Sequence, residues 1–165
     1  MKKSFFFMML IMTAISLGTL TVSAAEPKTE EASRQLEEAK TYYIGSMVVG
    51  FNVGRKIAGG EELSAEQTEA VRQAIAKWVN ADLIPFLEKR GVLEEWITMQ
   101  SDKDVRKLNR KAAEAKSMDE IVGVAKEGMK LTKLRYPNSF ASYNTKECAQ
   151  VMQKLQICIM QALVK

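Results

Sequence analysis

Apolar residues recur every three or four positions through most of this chain, and nowhere do they alternate cleanly with polar ones. A period near 3.6 marks amphipathic helices, whereas half-buried strands need a period of two. The spacing predicts helices over 30–58, 65–90, 102–116, 118–134 and 145–164, with a short turn around 93–99. Several starts carry their own marks. Ser64-Ala65-Glu66-Gln67 and Ser117-Met118-Asp119-Glu120 fit the capping box, in which a hydroxyl and a side chain three positions on satisfy free first-turn amides. Ser101-Asp102-Lys103-Asp104 and Asn144-Thr145-Lys146-Glu147 are weaker versions. Gly59-Gly60 and Gly91 stop two helices, and Pro85 is expected to bend or break the second near Asp82. Tyr136-Pro137-Asn138-Ser139 reads as a loop. Short connections between long amphipathic helices predict an all-α fold, a compact antiparallel bundle of about five helices.

One segment departs from this regularity. YYIGSMVVGFNVGRKIAGG, from Tyr42 to Gly60, opens with thirteen uncharged residues, three of them glycine. A membrane span needs about 20 apolar residues, and a phosphate-binding loop needs a strand before its glycines. Neither fits. Leu36, Tyr43, Gly50 and Ile57 are seven apart, with Met47 and Gly54 on the same stripe. A helical glycine costs about 1 kcal/mol relative to alanine, which close approach of another helix would offset. Ile44, Val48, Val49, Phe51 and Val53 add apolar surface elsewhere around the segment, so it is expected at the centre of the bundle. The alternative is a partly exposed helix forming a homodimer face or a groove for an apolar ligand. Tyr42-Tyr43-Ile44-Gly45, Asn52-Val53-Gly54-Arg55 and Glu62-Leu63 resemble the helical dimerisation arm of exported FKBP-type prolyl isomerases. The resemblance implies a packing helix and no activity, since its glycine spacing differs and no isomerase domain follows in this sequence.

The N-terminal end supplies an address. Lys2 and Lys3 precede an uncharged apolar run from Phe5 to Leu20, and Val22-Ser23-Ala24 places small residues where a signal peptidase reads, with Ser23-Ala24-Ala25 as the alternative. Residues 1–24 are therefore expected to be a cleaved signal peptide and 25–165 a single helical domain in the periplasm or secreted. Membrane contact is expected only through the signal before cleavage. The formal charge is +4, and it becomes +2 without Lys2 and Lys3. A nucleic-acid partner is not expected at that charge.

The chain contains no histidine. That removes the commonest general base, the usual zinc ligand and the imidazole-dependent triads. No catalytic set, cofactor or metal is indicated. Glu61-Glu62 and Glu94-Glu95 are the paired carboxylates an envelope-polymer hydrolase would need, with Trp78 or Trp96 to stack on a sugar. Adjacent positions point to different sides of a helix, however. Cys148 and Cys158, ten residues apart on one predicted helix, would sit about 15 Å apart, too far for a disulfide. They are expected to be packing residues on a stripe with Val151, Leu155, Ile159 and Ala162.

Charge is unevenly spread. Residues 26–70 carry nine acids and five bases, while residues 103–135 carry ten bases and five acids. Arg106, Lys107, Arg110 and Lys111 fall at helical neighbours and form the expected protein-binding face, suited to an acidic partner. The leading expectation is a non-enzymatic exported protein that binds another protein, as an immunity or inhibitor protein or an envelope chaperone. A carrier of an apolar small molecule or lipid is the alternative, and an envelope-polymer hydrolase comes third. N-terminal sequencing of exported protein should find the mature chain starting at Ala25 or Glu26. Retention of Met1 in membrane-embedded protein would overturn that expectation.

Overall fold

The structure, a computed structural model, describes residues 30–164. The expected signal peptide and its cleavage site lie outside them. The described residues are helical, without a strand among them, and the all-α expectation holds. In order they form α1 (Glu30–Ile57), α2 (Ala65–Trp78), a π-helical turn (Val79–Leu83), α3 (Ile84–Lys89), α4 (Leu93–Ser101), α5 (Lys103–Ala113), α6 (Met118–Arg135), α7 (Pro137–Ser142) and α8 (Lys146–Val164).

The core gathers around α2, which packs against both α8 and α1. Val71, Ile75 and Trp78 of α2 share one apolar cluster with Met152, Leu155 and Ile159 of α8 and Met47, Val48 and Phe51 of α1. Burying each such side chain contributes about 2 kcal/mol. Trp78 has no solvent exposure, and its indole N–H donates to the Val151 carbonyl at 2.8 Å, so its burial strands no donor. On α8 the fully buried positions are Cys148, Met152, Leu155 and Ile159, so the helix turns Met152 inward and leaves Cys158 only half-buried. Both thiols are free on one continuous helix, as their spacing requires. Burial pushes the Cys148 thiol up to about 11.

The helix ends follow the capping chemistry. Ser64 Oγ accepts from Gln67 N and Gln67 Oε1 accepts from Ser64 N, both at 3.1 Å, completing the box. At Ser117 the box is displaced by one residue: Ser117 Oγ accepts from Glu120 N, but the Glu120 carboxylate reaches Lys116 N at 2.7 Å. Gly59 ends α1 at φ 77°, where Gly60 N donates to Arg55 O at 2.9 Å and Gly59 N to Lys56 O at 3.0 Å. That pairing satisfies two orphan carbonyls and needs the left-handed backbone glycine adopts freely.

Two local outcomes differ from the sequence reading, and one expected interruption takes a particular form. Pro85 interrupts the second α-helix near Asp82, as expected, through a π-helical turn at Val79–Leu83. It cannot donate to the carbonyl four residues back, and the turn before it widens so that Ile84 N–H bonds Val79 O, five back. The stretch after Gly91, expected as a short turn, is the nine-residue helix α4 with Trp96 fully buried. The Tyr136–Ser139 loop contains the start of helix α7. Pro137 presets its first turn, and the Glu95 carboxylate caps it from α4, accepting from Ser139 N at 3.0 Å and Asn138 Nδ2 at 2.9 Å.

Asp102 joins the two halves of the molecule. Its Oδ1 caps α5, accepting from Asp104 N at 2.7 Å and Val105 N at 3.4 Å. Its Oδ2 accepts from Tyr136 Oη at 2.6 Å and Arg135 Nη1 at 2.9 Å, from the end of α6. Burial pushes this carboxyl up, but the hydrogen bonds from Tyr136, the Asp104 amide and Arg135 outweigh it and bring it to about 2. A carboxyl depressed from 3.8 to about 2 stabilises the fold above its unfolded value and loses that contribution as pH falls through the folded one. The effect is about 2 kcal/mol. Asp102→Asn keeps a competent cap and should be less stable than wild type at pH 6, with the gap in thermal midpoint closing as pH falls from about 4 to 2. An unchanged gap across that range would show that the ionised carboxylate is not what ties α5 to α6.

Candidate functional site: a groove between helix 1 and the helix 5–6 hairpin

Helix α6 leans on α5 and α7, and α5 leans on α1, but α6 scarcely reaches α1. A groove of about 530 Å³ opens between them. Small residues on three helices make room in its walls: Gly45 and Gly50 of α1, Ala112 and Ala113 of α5, Ala125 and Gly128 of α6, set among apolar side chains such as Val49, Leu108 and Met129. A Cβ added at Gly45, Gly50 or Gly128 would meet nothing within 4 Å.

This corrects the reading of α1 as a centrally buried helix whose glycines admit a close neighbour. Its fully buried residues, Ala39, Met47, Val48 and Phe51, lie toward the core, whereas Val49 is 45% exposed beside Gly50 on the groove. The reason is visible at Tyr42. The Arg106 guanidinium lies over the Tyr42 ring, 4.4 Å from its centroid, and Asn109 Nδ2 donates to the Tyr42 hydroxyl at 3.1 Å. A tyrosine ring at the α1–α5 contact holds α5 at a distance the glycines do not set. The partly exposed alternative describes α1 better.

The floor is different in kind. Gln100, at the end of α4, is only 3% exposed and lines the groove, and its side-chain amide has no hydrogen-bond partner among the described residues. Its backbone carbonyl accepts from Arg106 Nε at 2.8 Å. One turn earlier, Trp96 is fully buried and its Nε1 also lacks a partner. Tyr143 lines the groove beside them. Burial raises its hydroxyl well above the ordinary phenol value; the neighbouring Trp96 N–H lowers it slightly without completing a well-formed hydrogen bond. Tyr43 stacks edge-on against Trp96 with centroids 5.3 Å apart.

The four basic residues singled out from the sequence do not share one environment. Arg106 is half-buried and engaged with Gln100 and Tyr42, so it belongs to the fold. Lys111 pairs with Glu127 of α6 at 3.0 Å, bracing the hairpin. Lys107 and Arg110 are exposed and make no ion pair among the described residues, and Arg110 sits on the groove. The paired carboxylates divide as well. Glu62 pairs with Lys56 at 2.7 Å, which lowers its pKa, and Glu95 caps α7 while Glu94 stays exposed. Trp78 and Trp96 are both fully buried and offer no face to a sugar.

Among the described residues no group of three or more Cys, Asp or Glu converges where it could hold a metal ion, and no helix is long and apolar enough to cross a membrane. No family model matches this chain, and no curated protein or solved structure matches it either. Gln100 and Tyr143 escaped the sequence reading. The available signal was indirect: α1 carries more apolar surface than one core face uses, and Ala112-Ala113 and Ala125-x2-Gly128 leave space on the facing helices.

Because Gly50 faces open space on a regular helix, Gly50→Ala should raise stability by about 0.5–1 kcal/mol, the propensity gain of a mid-helix position. A loss of comparable size in denaturant unfolding would show that a neighbouring helix closes on α1 there.

Proposed function

We propose that this chain is an exported, non-enzymatic carrier of a small apolar molecule, held in the groove between α1 and the α5–α6 hairpin. The observation that carries this reading is the groove itself: about 530 Å³, lined mainly by apolar residues, with the Gly45, Gly50 and Gly128 Cβ positions open. That volume lies within the range of about 300–1,000 Å³ usual for small-molecule sites. Apolar surface left facing water costs about 25 cal/mol per Å², and an apolar occupant would recover it. Without histidine in the chain, and with Gln100 and Tyr143 as neutral groups at the floor, the site is better suited to holding a ligand than to moving protons. The N-terminal pattern supports export as the setting.

A protein partner on the basic face remains the second reading. It is supported by Lys107 and Arg110, exposed and without ion pairs among the described residues.

Native mass spectrometry of protein purified from its own cell envelope separates the two. A small-molecule adduct should accompany the wild type and Arg110→Glu, and be lost in Gly50→Phe, whose ring occupies the groove without crowding the core. An adduct that survives Gly50→Phe would place the ligand elsewhere. Absence of any adduct, with loss of a co-purifying protein in Arg110→Glu, would favour the second reading.

A further inference from the structure

We infer that the groove takes its ligand polar end first, and that the ligand is a neutral molecule with an apolar body and one hydroxyl or carbonyl group seated against Gln100 and Tyr143. This rests on the carrier reading and names the chemistry of the same site.

The inference starts from an imbalance at the floor. Buried polar groups are nearly always hydrogen-bonded, and one left without a partner is costly enough to need a reason. The Trp96 N–H on α4 is such a group, and Gln100 of the same helix turns an amide that makes no hydrogen bond among the described residues toward the groove. Trp96 and Gln100 are four residues apart on α4 and lie on the same side of it. Tyr143 brings a hydroxyl to the same end of the groove, next to the Trp96 indole. The rest of the lining is mostly glycine, alanine, aliphatic and aromatic surface, with Thr41, Asn109 and Arg110 among its polar members. Ser46 donates to the Tyr43 carbonyl at 2.9 Å, and Thr132 to the Gly128 carbonyl at 2.9 Å. A ligand entering with one hydrogen-bonding group foremost would satisfy the Gln100 amide and cover the apolar walls with the rest of its length.

The floor is also uncharged. Tyr143 keeps its proton because burial disfavours the phenolate. Arg106 is held by the Gln100 carbonyl and the Tyr42 ring and does not line the groove. The cation that does line it, Arg110, lies on α5 seven residues past Lys103, a rise of about 10 Å along that helix. An ionised carboxylate pressed against Gln100 would lose its hydration, and the Arg106 guanidinium beside it is already engaged by the Gln100 carbonyl and the Tyr42 ring. A neutral hydroxyl or carbonyl meets no such penalty. Sites that hydrogen-bond a polar group discriminate strongly against analogues lacking it, because their own groups are then left unpaired.

Three probes of one chain length test this on the mature protein: n-octane, 1-octanol and octanoate at pH 8, by calorimetry and by the fluorescence of the buried tryptophans. We expect 1-octanol to bind at least tenfold more tightly than either of the others. Gln100→Leu, a substitution of similar volume, should bring 1-octanol down to the affinity of octane while leaving octane unchanged. Tyr143→Phe should narrow the same ratio and serves as the check should the leucine variant unfold. Equal binding of octane and 1-octanol to the wild type would overturn the polar-end-first inference and leave the carrier reading standing. So would octanoate binding tightest, with that preference lost in Arg110→Gln, because the head would then sit at the rim. Failure of all three probes to bind, with no shift in thermal midpoint, would instead remove the carrier reading and this inference with it.

Discussion

At the junction of α4 and α5 a single carboxylate accepts four hydrogen bonds, two from the first turn of α5 and two from the end of α6. The α5–α6 hairpin depends on it, because burial cannot position these helices. No residue of α5 is fully buried, and α6 buries only Ile121. A hairpin with so little apolar anchoring has no strong pull toward α1. Its place is set by polar ties: Asp102 with Arg135 and Tyr136 at one end, Lys111 with Glu127 further along, and the Arg106–Tyr42–Asn109 contact against α1. The groove is the space these ties leave.

The two parts of the molecule therefore rest on different physics. Helices α1, α2, α4 and α8, with the π turn and α3, share one core of buried apolar side chains. The hairpin has few buried apolar contacts and exposed ion pairs, the profile of a region with low local opening free energy. Such a region is suited to form one wall of a site that must admit and release a molecule. A ligand that bound only the closed groove would stabilise the hairpin by mass action, so occupancy and hairpin rigidity are linked.

The basic residues illustrate how a charge pattern is divided by folding. Arg106 and Lys111 look alike in the sequence to Lys107 and Arg110, yet the first pair is engaged with Tyr42, Gln100 and Glu127 and the second is free of ion pairs among the described residues. Reversing all four would mix a change in fold with a change in surface. The same division applies to Glu95, whose carboxylate caps α7 across forty-four residues of chain.

The positions of the long helices, the Ser64 and Ser117 caps, the glycine stops and the inability of Cys148 and Cys158 to bridge were legible in the sequence, whereas the short helices α4 and α7 were not. Each legible feature depends on interactions within a few residues or on the rise of one helix, and local spacing records those. Which face of α1 meets the core was not legible. A glycine stripe that admits a close helix and one that walls a groove have the same spacing. Choosing between them depends on where α5 is held, and that is set by Tyr42 with Arg106 and by Asp102 with residues over thirty positions away. The polar floor was hidden for the same reason. Gln100 reads as an ordinary helix-end amide until tertiary packing buries it and sets it on the groove with Tyr143.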